Sequence, residues 1–108
     1  MVTASGLPAT LSVVIPSYRS SHLTEVLASV VGLAPERLVV VDSSPVEPEP
    51  LDDGIQRVWS PERLNPAEAR NRGARSLRSD YLLFIDSDVV LTDRARAFVR
   101  EVLDDPGP

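Results

Sequence analysis

Short apolar runs alternate with helical patterns along the chain, and this alternation limits the possible folds more than any other feature. Three runs have the character of buried strands: "LSVVI" (11–15), "LVVV" (38–41) and "YLLFI" (81–85). "QRVW" (56–59) is a candidate for a short further strand. Since proline cannot donate to a sheet ladder, we expect the first strand to stop before Pro16. The pattern predicts an α/β fold, a mainly parallel sheet with helices on both faces.

Helix signals lie between and after these runs. Apolar residues recur at helical spacing over 23–31, with Ser21 as the expected N-cap. Asn65, followed by proline and then by glutamate at the third helical position, is typical of a helix start, and we expect that helix to run to about Arg78. A last helix is expected from Thr92. Its apolar face comprises Ala95, Phe98, Val99, Val102 and Leu103.

The length of 108 residues allows one domain with a modest core. The ends are polar or rich in proline and glycine. We therefore expect a flexible tail at 1–10, the domain at 11–104 and a second tail at 105–108.

Composition excludes several classes of function. The net charge is −5, with 11 Arg, no Lys and no basic run, which disfavours a nucleic-acid partner. Without cysteine and with one histidine, the chain lacks disulfides and the usual zinc ligands, so any metal is expected to be a hard cation held by oxygen. No apolar stretch is long enough to span a membrane and the N-terminus lacks signal-peptide features, so we expect a cytoplasmic protein.

Polar clusters follow the three strand-like runs: Pro16-Ser17-Tyr18, Asp42-Ser43-Ser44 and Asp86-Ser87-Asp88. In open parallel sheets ligands bind outside the carboxyl ends of the strands, where these clusters would meet. Singly, each has a plain alternative: a solvated turn, a capped turn, or a tyrosine packed on the next helix. Together, a ring for stacking, hydrogen-bonding side chains and two acids for a divalent cation predict a nucleotide pocket with a metal beside it.

Arg70 is the arginine without an ordinary surface explanation. Its spacing from Gly73 and Leu77 predicts a position on the stripe of its helix that faces the sheet. There it would need a carboxylate, carbonyl or phosphate partner, supplied either by a ligand or by a strand-end acid in a structural ion pair. Glu68 and Arg72, by contrast, form an ordinary i, i+4 surface pair.

Four segments together resemble the inverting nucleotide-sugar glycosyltransferases of family 2, which have the GT-A fold. "LSVVIPSYRSSHLTEVLASV" is similar to the first strand, turn and helix of that family, and "LVVVDSS" to its second strand. "NPAEARNRGA" and "YLLFIDSDV" resemble its Ala-Arg-Asn-x-Gly helix and its D-x-D strand. The resemblance covers 11–104 and implies the Rossmann-like, nucleotide-binding half of a GT-A fold.

The resemblance also implies roles for individual residues. Asp88 is then the principal ligand of a Mg²⁺ or Mn²⁺ ion on the donor diphosphate, and Asp86 lies nearer the ribose and shares the metal. The ion would act as a Lewis acid on the departing nucleoside diphosphate. The implied donor-binding residues are Pro16, Ser17, Tyr18, Asp42, Arg70 and Asp86.

Two departures from the family pattern limit this prediction. The carboxylate base of inverting members comes from a later motif with the acceptor site, and only twenty residues follow Asp88. We therefore expect the acceptor half to be absent, supplied by a missing C-terminal half or a partner chain, and this chain alone to be inactive. Ser43 stands where many members carry a second Asp or Asn that contacts the base, which leaves the identity of the nucleotide open. The sequence does not identify the sugar or the acceptor.

Two alternatives remain at this stage. A non-catalytic nucleotide-binding module of the same fold would need no base. A haloacid-dehalogenase-type phosphatase would use Asp86 as nucleophile and Asp88 as general acid/base. That phosphatase family also requires a later lysine, and the sequence has none.

Overall fold

The predicted alternation of strands and helices is confirmed in a computed structural model, which describes residues 9–18, 20–52 and 54–105. Each element follows from the local pattern, apolar β-branched runs forming strands and amphipathic segments forming helices. The elements are β1 (Leu11–Ser17), α1 (Leu23–Val31), β2 (Arg37–Ser43), β3 (Ile55–Ser60), α2 (Pro66–Ala74), β4 (Tyr81–Phe84) and α3 (Asp93–Asp104).

The four strands form one parallel sheet in the order β3-β2-β1-β4. The chain moves outward from β1 through β2 to β3, then returns to place β4 on the other side of β1. The order therefore reverses between β1 and β4, which is where open α/β sheets form a crevice for ligands.

Helices cover both faces of the sheet, as the sequence predicts. On one face, Val13 and Ile15 of β1 pack with Val26 and Val30 of α1, and all four are fully buried. α3 reaches the same cluster through partly buried residues such as Val99. A second cluster on the opposite face comprises Val14, Val39, Val41 and Ala69.

β1 continues through Pro16, so the prediction that it stops before the proline is wrong. The carbonyl of Val14 accepts a hydrogen bond from the N–H of Ile85, so alternate residues of β1 direct their backbone groups toward β4. Pro16 has the same orientation, but the β1–β4 ladder ends at the pair Val14 and Phe84. The missing N–H of the proline therefore removes no ladder bond, and β1 keeps its pairing with β2.

β4 is an edge strand whose residues are partly buried or exposed, in contrast to the buried strand that the sequence predicts. Leu83 packs on the core, whereas Leu82 and Phe84 are each 40% exposed. The reason lies in the helices, since α2 packs on β1 and β2 and leaves this side of β4 uncovered.

Of the two predicted N-caps, Asn65 is confirmed and Ser21 is wrong. The side chain of Asn65 accepts a hydrogen bond from the Glu68 N–H at 2.8 Å, and Thr92 caps α3 in the same way. His22, not Ser21, holds the N-cap position of α1 and makes no side-chain cap bond. α2 ends at Ala74, short of the predicted Arg78.

Thr10, which we assigned to the N-terminal tail, is hydrogen-bonded to the end of the α2–β4 connection. Its backbone N–H donates to the Asp80 carboxylate at 2.9 Å, and its carbonyl accepts from the Tyr81 N–H. The tail predictions for residues 1–8 and 106–108 lie outside the described residues. Within the described part of the chain, no helix has the length and apolarity to cross a membrane.

Gly73 allows α2 to approach the sheet closely. A Cβ at this position would overlap Val14 and lie 2.9 Å from Val41 Cγ2. Substitution Gly73→Ala should therefore lower the free energy of unfolding by about 2 kcal/mol, because overpacking outweighs the gain in helix propensity. Urea denaturation measures this change.

Gly32→Ala is the matched control, since Gly32 has helical dihedral angles and its added Cβ would meet the Arg96 side chain at 3.2 Å, without overlap. For Gly32→Ala we expect the free energy of unfolding to change by less than about 0.5 kcal/mol. Equal effects of the two substitutions would contradict the close-approach role of Gly73.

Candidate functional site

An open cavity of about 850 Å³ lies over the carboxyl ends of β1 and β4. It is lined from three directions, by the end of β1 and its following loop, by the loop after β4, and by the segment that leads into α2. The lining comprises Pro16, Ser17, Tyr18, Ser20, Ser21, His22, Ser43, Arg63, Leu64, Asn65, Pro66, Ala69, Asp86, Ser87 and Asp88.

Strand register brings the two main polar clusters together. β1 and β4 pair from Leu11 and Tyr81 to Val14 and Phe84. Continuing each strand by two residues places Pro16 level with Asp86, so both clusters leave the sheet at the same edge. The structure thus brings Pro16, Ser17, Tyr18, Asp86 and Asp88 to one cavity, as the sequence predicts.

A tight turn presents the two aspartates. The carbonyl of Asp86 accepts a hydrogen bond from the Val89 N–H at 3.1 Å, which closes a four-residue turn. The Ser20 hydroxyl donates to the Ser87 carbonyl at 2.8 Å and ties this turn to the loop after β1. Asp86 and Asp88 are both exposed, so solvent supports their charges and both carboxylates are accessible to a ligand.

The ring of Tyr18 forms a cation–π contact with Arg63. The guanidinium carbon of Arg63 lies 4.4 Å from the ring centroid, the distance of a cation–π contact. Both side chains line the large cavity. Arg63 therefore brings a positive charge to the cavity that holds the two aspartates.

Arg70 does not occupy the position that its spacing predicts. Ala69 and Gly73 are buried against the sheet, whereas Arg70 is exposed and does not line the cavity. Ala69 and Gly73, four residues apart, define the packed face of α2, and Arg70 follows Ala69 by about 100° around the helix axis. The long cationic side chain extends to solvent and avoids the cost of burial without a partner.

Asp42 lies in a second, smaller cavity of about 260 Å³ next to the first. The two cavities share Ser17 and Ser20 in their linings, while Ser43, one residue after Asp42, lines the large one. Strand alternation explains this division, because neighbouring residues of β2 point to opposite faces of the sheet.

Arg57 of β3 is the ion-pair partner of Asp42. Its Nε lies 3.2 Å from Asp42 Oδ2, and both side chains are largely buried. The contact is an ion pair and not a hydrogen bond, since the buried Nε has no hydrogen-bond acceptor in the described part of the chain. The same guanidinium donates to the carbonyl of Glu49 through Nη1 and so anchors the loop between β2 and β3.

Burial raises the pKa of the Asp42 carboxyl, and the Arg57 charge lowers it by less, so the pKa stays above its ordinary value of 3.8. A carboxyl with a raised pKa binds a proton more readily in the folded than in the unfolded state. Its contribution to stability therefore declines as the pH rises above 3.8.

The donor set at the D-x-D turn suits a hard cation that also binds a ligand. Among the described residues, no three His, Asp or Glu side chains come together as a metal cluster. Asp86 and Asp88 supply two accessible carboxylates at the cavity. Mg²⁺ is commonly held by one or two carboxylates together with substrate phosphates, so the residues fit an ion that arrives with a diphosphate.

The family described as "Glycosyl transferase family 2" matches residues 12–106, almost the whole chain. The chain belongs to this family. A search of curated proteins finds no significant match. Family membership confirms the resemblance, identifies a glycosyltransferase domain in general terms, and implies a nucleotide-sugar donor.

Among the ionisable residues that line the two cavities, Arg57, Arg63 and His22 were not predicted as site residues. Arg57 had a usable signal, because it shares one face of β3 with Ile55 and Trp59, and a charge on such a face needs a buried partner. Arg63 had no such sequence signal, since its position at the cavity depends on the path of the loop after β3. His22 was interpreted as a surface residue; it is exposed but also lines the cavity.

Arg57→Met tests the buried pair. Without the Arg57 charge, which lowers the pKa of Asp42, only the effect of burial remains. The pKa of Asp42 should therefore rise further. At pH 7 we expect a loss of about 3 kcal/mol in the free energy of unfolding, because a buried carboxylate would be unpaired. At pH 4 the loss should be smaller, because the folded state can protonate Asp42. Urea denaturation at both pH values measures the difference.

Arg72→Met is the control, since its ion pair with Glu68 at 3.0 Å is solvent-accessible. For Arg72→Met we expect a loss of less than about 1 kcal/mol in the free energy of unfolding. A loss for Arg57→Met that is the same at pH 4 and pH 7 would show that the charge of Asp42 is not what Arg57 stabilises.

Proposed function

We propose that this chain binds a nucleotide-diphospho-sugar donor in the large cavity and serves an inverting, metal-assisted transfer of the sugar to an acceptor. The observation that supports this proposal is the convergence of Pro16, Ser17, Tyr18, Asp86 and Asp88 at the reversal of strand order, in a domain of family 2.

The nucleotide would lie along the end of β1. Tyr18 offers a ring and Ser17 a hydroxyl, and Ser43 lines the same space. Asp86 would accept hydrogen bonds from the ribose, since carboxylates are acceptors for sugar hydroxyls. Asp42 would contribute from the adjoining cavity, with its charge held by Arg57.

Asp86 and Asp88 would hold Mg²⁺ or Mn²⁺ together with diphosphate oxygens, Asp88 as the principal ligand. Such an ion supplies Lewis-acid stabilisation of the charge that develops on the leaving nucleoside diphosphate. The turn closed by Asp86 and Val89 keeps the two carboxylates accessible at the cavity, and Ser20 secures that turn to the loop after β1.

Inversion requires a base that removes the proton from the acceptor hydroxyl. The carboxylates among the described residues that line the cavity are Asp86 and Asp88, and the proposal uses both for donor and metal. We assign no base. Donor binding is therefore the part of the function that these residues support directly.

The same observation favours a second candidate, a nucleotide-binding module of this fold without turnover. The two functions differ in one measurement, the release of nucleoside diphosphate from a bound nucleotide-sugar. Turnover would establish the transferase, and tight binding without any release, with or without candidate acceptors, would favour the module.

Titration of UDP-, GDP- and dTDP-sugars by calorimetry, with and without Mn²⁺, tests the donor site. We expect at least one donor to bind more tightly with Mn²⁺. Asp88→Asn should remove that gain, with a loss of roughly tenfold or more in affinity, equivalent to about 1.4 kcal/mol.

Glu101→Gln on α3 is the matched control, because Glu101 is an exposed carboxylate that does not line the cavity. Its affinity should equal that of the wild type. Absence of metal-dependent binding to every donor, or an Asp88→Asn variant that binds like the wild type, would refute the proposed site.

A further inference from the structure

Arg63 differs from the other arginines near the sheet in what holds it. Arg57, Arg72 and Arg96 are each in an ion pair with a carboxylate, to Asp42, Glu68 and Asp93 respectively. Arg63 contacts the ring of Tyr18, and within the described part of the chain it makes neither a hydrogen bond nor an ion pair. Its position is held by an aromatic side chain, and its hydrogen-bonding capacity is not used by the protein.

The cation–π contact leaves hydrogen-bond donors of Arg63 available. The contact holds the guanidinium over the ring through its charge, and its N–H groups donate no hydrogen bond within the described part of the chain. A guanidinium held in this way is pre-organised for a planar, bidentate contact with an anion. Since the side chain lines the large cavity, the anion would come from a ligand in that cavity.

The charges of the cavity lead to the same conclusion. Asp86 and Asp88 carry two negative charges, which a divalent cation would balance. A bound diphosphate then brings further negative charge that needs a cation of its own. Among the described residues, the arginine that lines the cavity is Arg63. Arg70 is exposed and lies outside the cavity.

We propose that Arg63, positioned by the ring of Tyr18, binds the diphosphate of the nucleotide donor and so takes the place that the sequence pattern assigns to Arg70. The proposal rests on the proposed function for the identity of the donor. Its physical content, an oxyanion bound by a stacked arginine, can be tested separately with a simple anion.

The experiment titrates the full chain with three probes in the presence of Mn²⁺: inorganic pyrophosphate, the nucleoside diphosphate that the wild type binds best among UDP, GDP and dTDP, and the matching nucleoside. Arg63→Ala should weaken both phosphate-containing probes by roughly ten- to a hundredfold, the usual effect of losing hydrogen bonds to a charged group. Nucleoside affinity should be unchanged. Arg63→Lys, which keeps the charge but loses the planar fork, should give an intermediate affinity for pyrophosphate.

A double-mutant cycle tests the role of Tyr18. Tyr18→Leu removes the ring, and we expect it to weaken pyrophosphate binding in the wild type although it carries no charge. In the Arg63→Ala background the same substitution should have no further effect, because there is no guanidinium left to position. Additive losses would show that Tyr18 does not act through Arg63.

Arg75→Ala is the control for loss of a positive charge, since Arg75 is an exposed arginine at the end of α2 that does not line the cavity. It should bind every probe like the wild type. Circular dichroism and the thermal midpoint confirm that each variant folds. Unchanged pyrophosphate binding in Arg63→Ala, or a loss that appears only in Arg70→Ala, would overturn the proposal.

Failure of the donor function has a different signature. If the wild type binds pyrophosphate through Arg63 but none of the three nucleotides, the anion site stands and the nucleotide donor is wrong. If a nucleotide binds in the presence of Mn²⁺ with the same affinity in wild type and Arg63→Ala, the donor site stands and Arg63 has no part in it. If the wild type binds neither pyrophosphate nor any of the three nucleotides, both the anion site at Arg63 and the donor site are refuted.

Discussion

Hydrogen bonding of β1 to a strand on each side is the constraint on which the rest of the structure depends. Val13, Val14 and Ile15 are fully buried at the centre of the sheet, and the alternation of their side chains assigns one face to α1 and the other to α2. A slip of one residue would exchange the two faces, so the register is strongly determined. That register sets which residues extend beyond the sheet beside Asp86, and the site is therefore a consequence of core packing.

The acids of the two cavities are in opposite electrostatic situations. Asp42 is buried and depends on Arg57 to offset the cost of its charge, so this pair joins β2 to β3 and fixes the loop that carries Glu49. Asp86 and Asp88 are exposed on a hydrogen-bonded turn and need no protein cation. Carboxylates that water supports can bind a metal without first breaking an ion pair. Burial thus separates the ion-paired Asp42 from the two exposed carboxylates to which the proposed function assigns the metal.

Sequence patterns predicted the features that depend on neighbouring residues. Asn65 was recognised as a cap, and Thr92 as the start of the last helix, because a cap bonds a backbone N–H three residues away. The end of β1 and the orientation of Arg70 on α2 were predicted wrongly for a common reason. The proline is accommodated because β4 ends before reaching it, and Arg70 is exposed because Ala69 and Gly73 form the face of α2 that packs on the sheet. Neither the end of a neighbouring strand nor the depth of helix packing is visible in local spacing.

The sequence by itself determined the α/β class, the order of strands and helices, the spacing of Asp86 and Asp88 and the family, because periodicity and short motifs act over a few residues along the chain. Only the tertiary structure decided that Arg57 pairs with Asp42, that Arg63 stacks on Tyr18 and that Arg70 faces solvent. Those contacts join residues 15 to 45 positions apart, and they exist only once burial has set the sheet order and the helix rotation. Charged side chains take whichever partner the packed core leaves within reach, and that choice has no local signature.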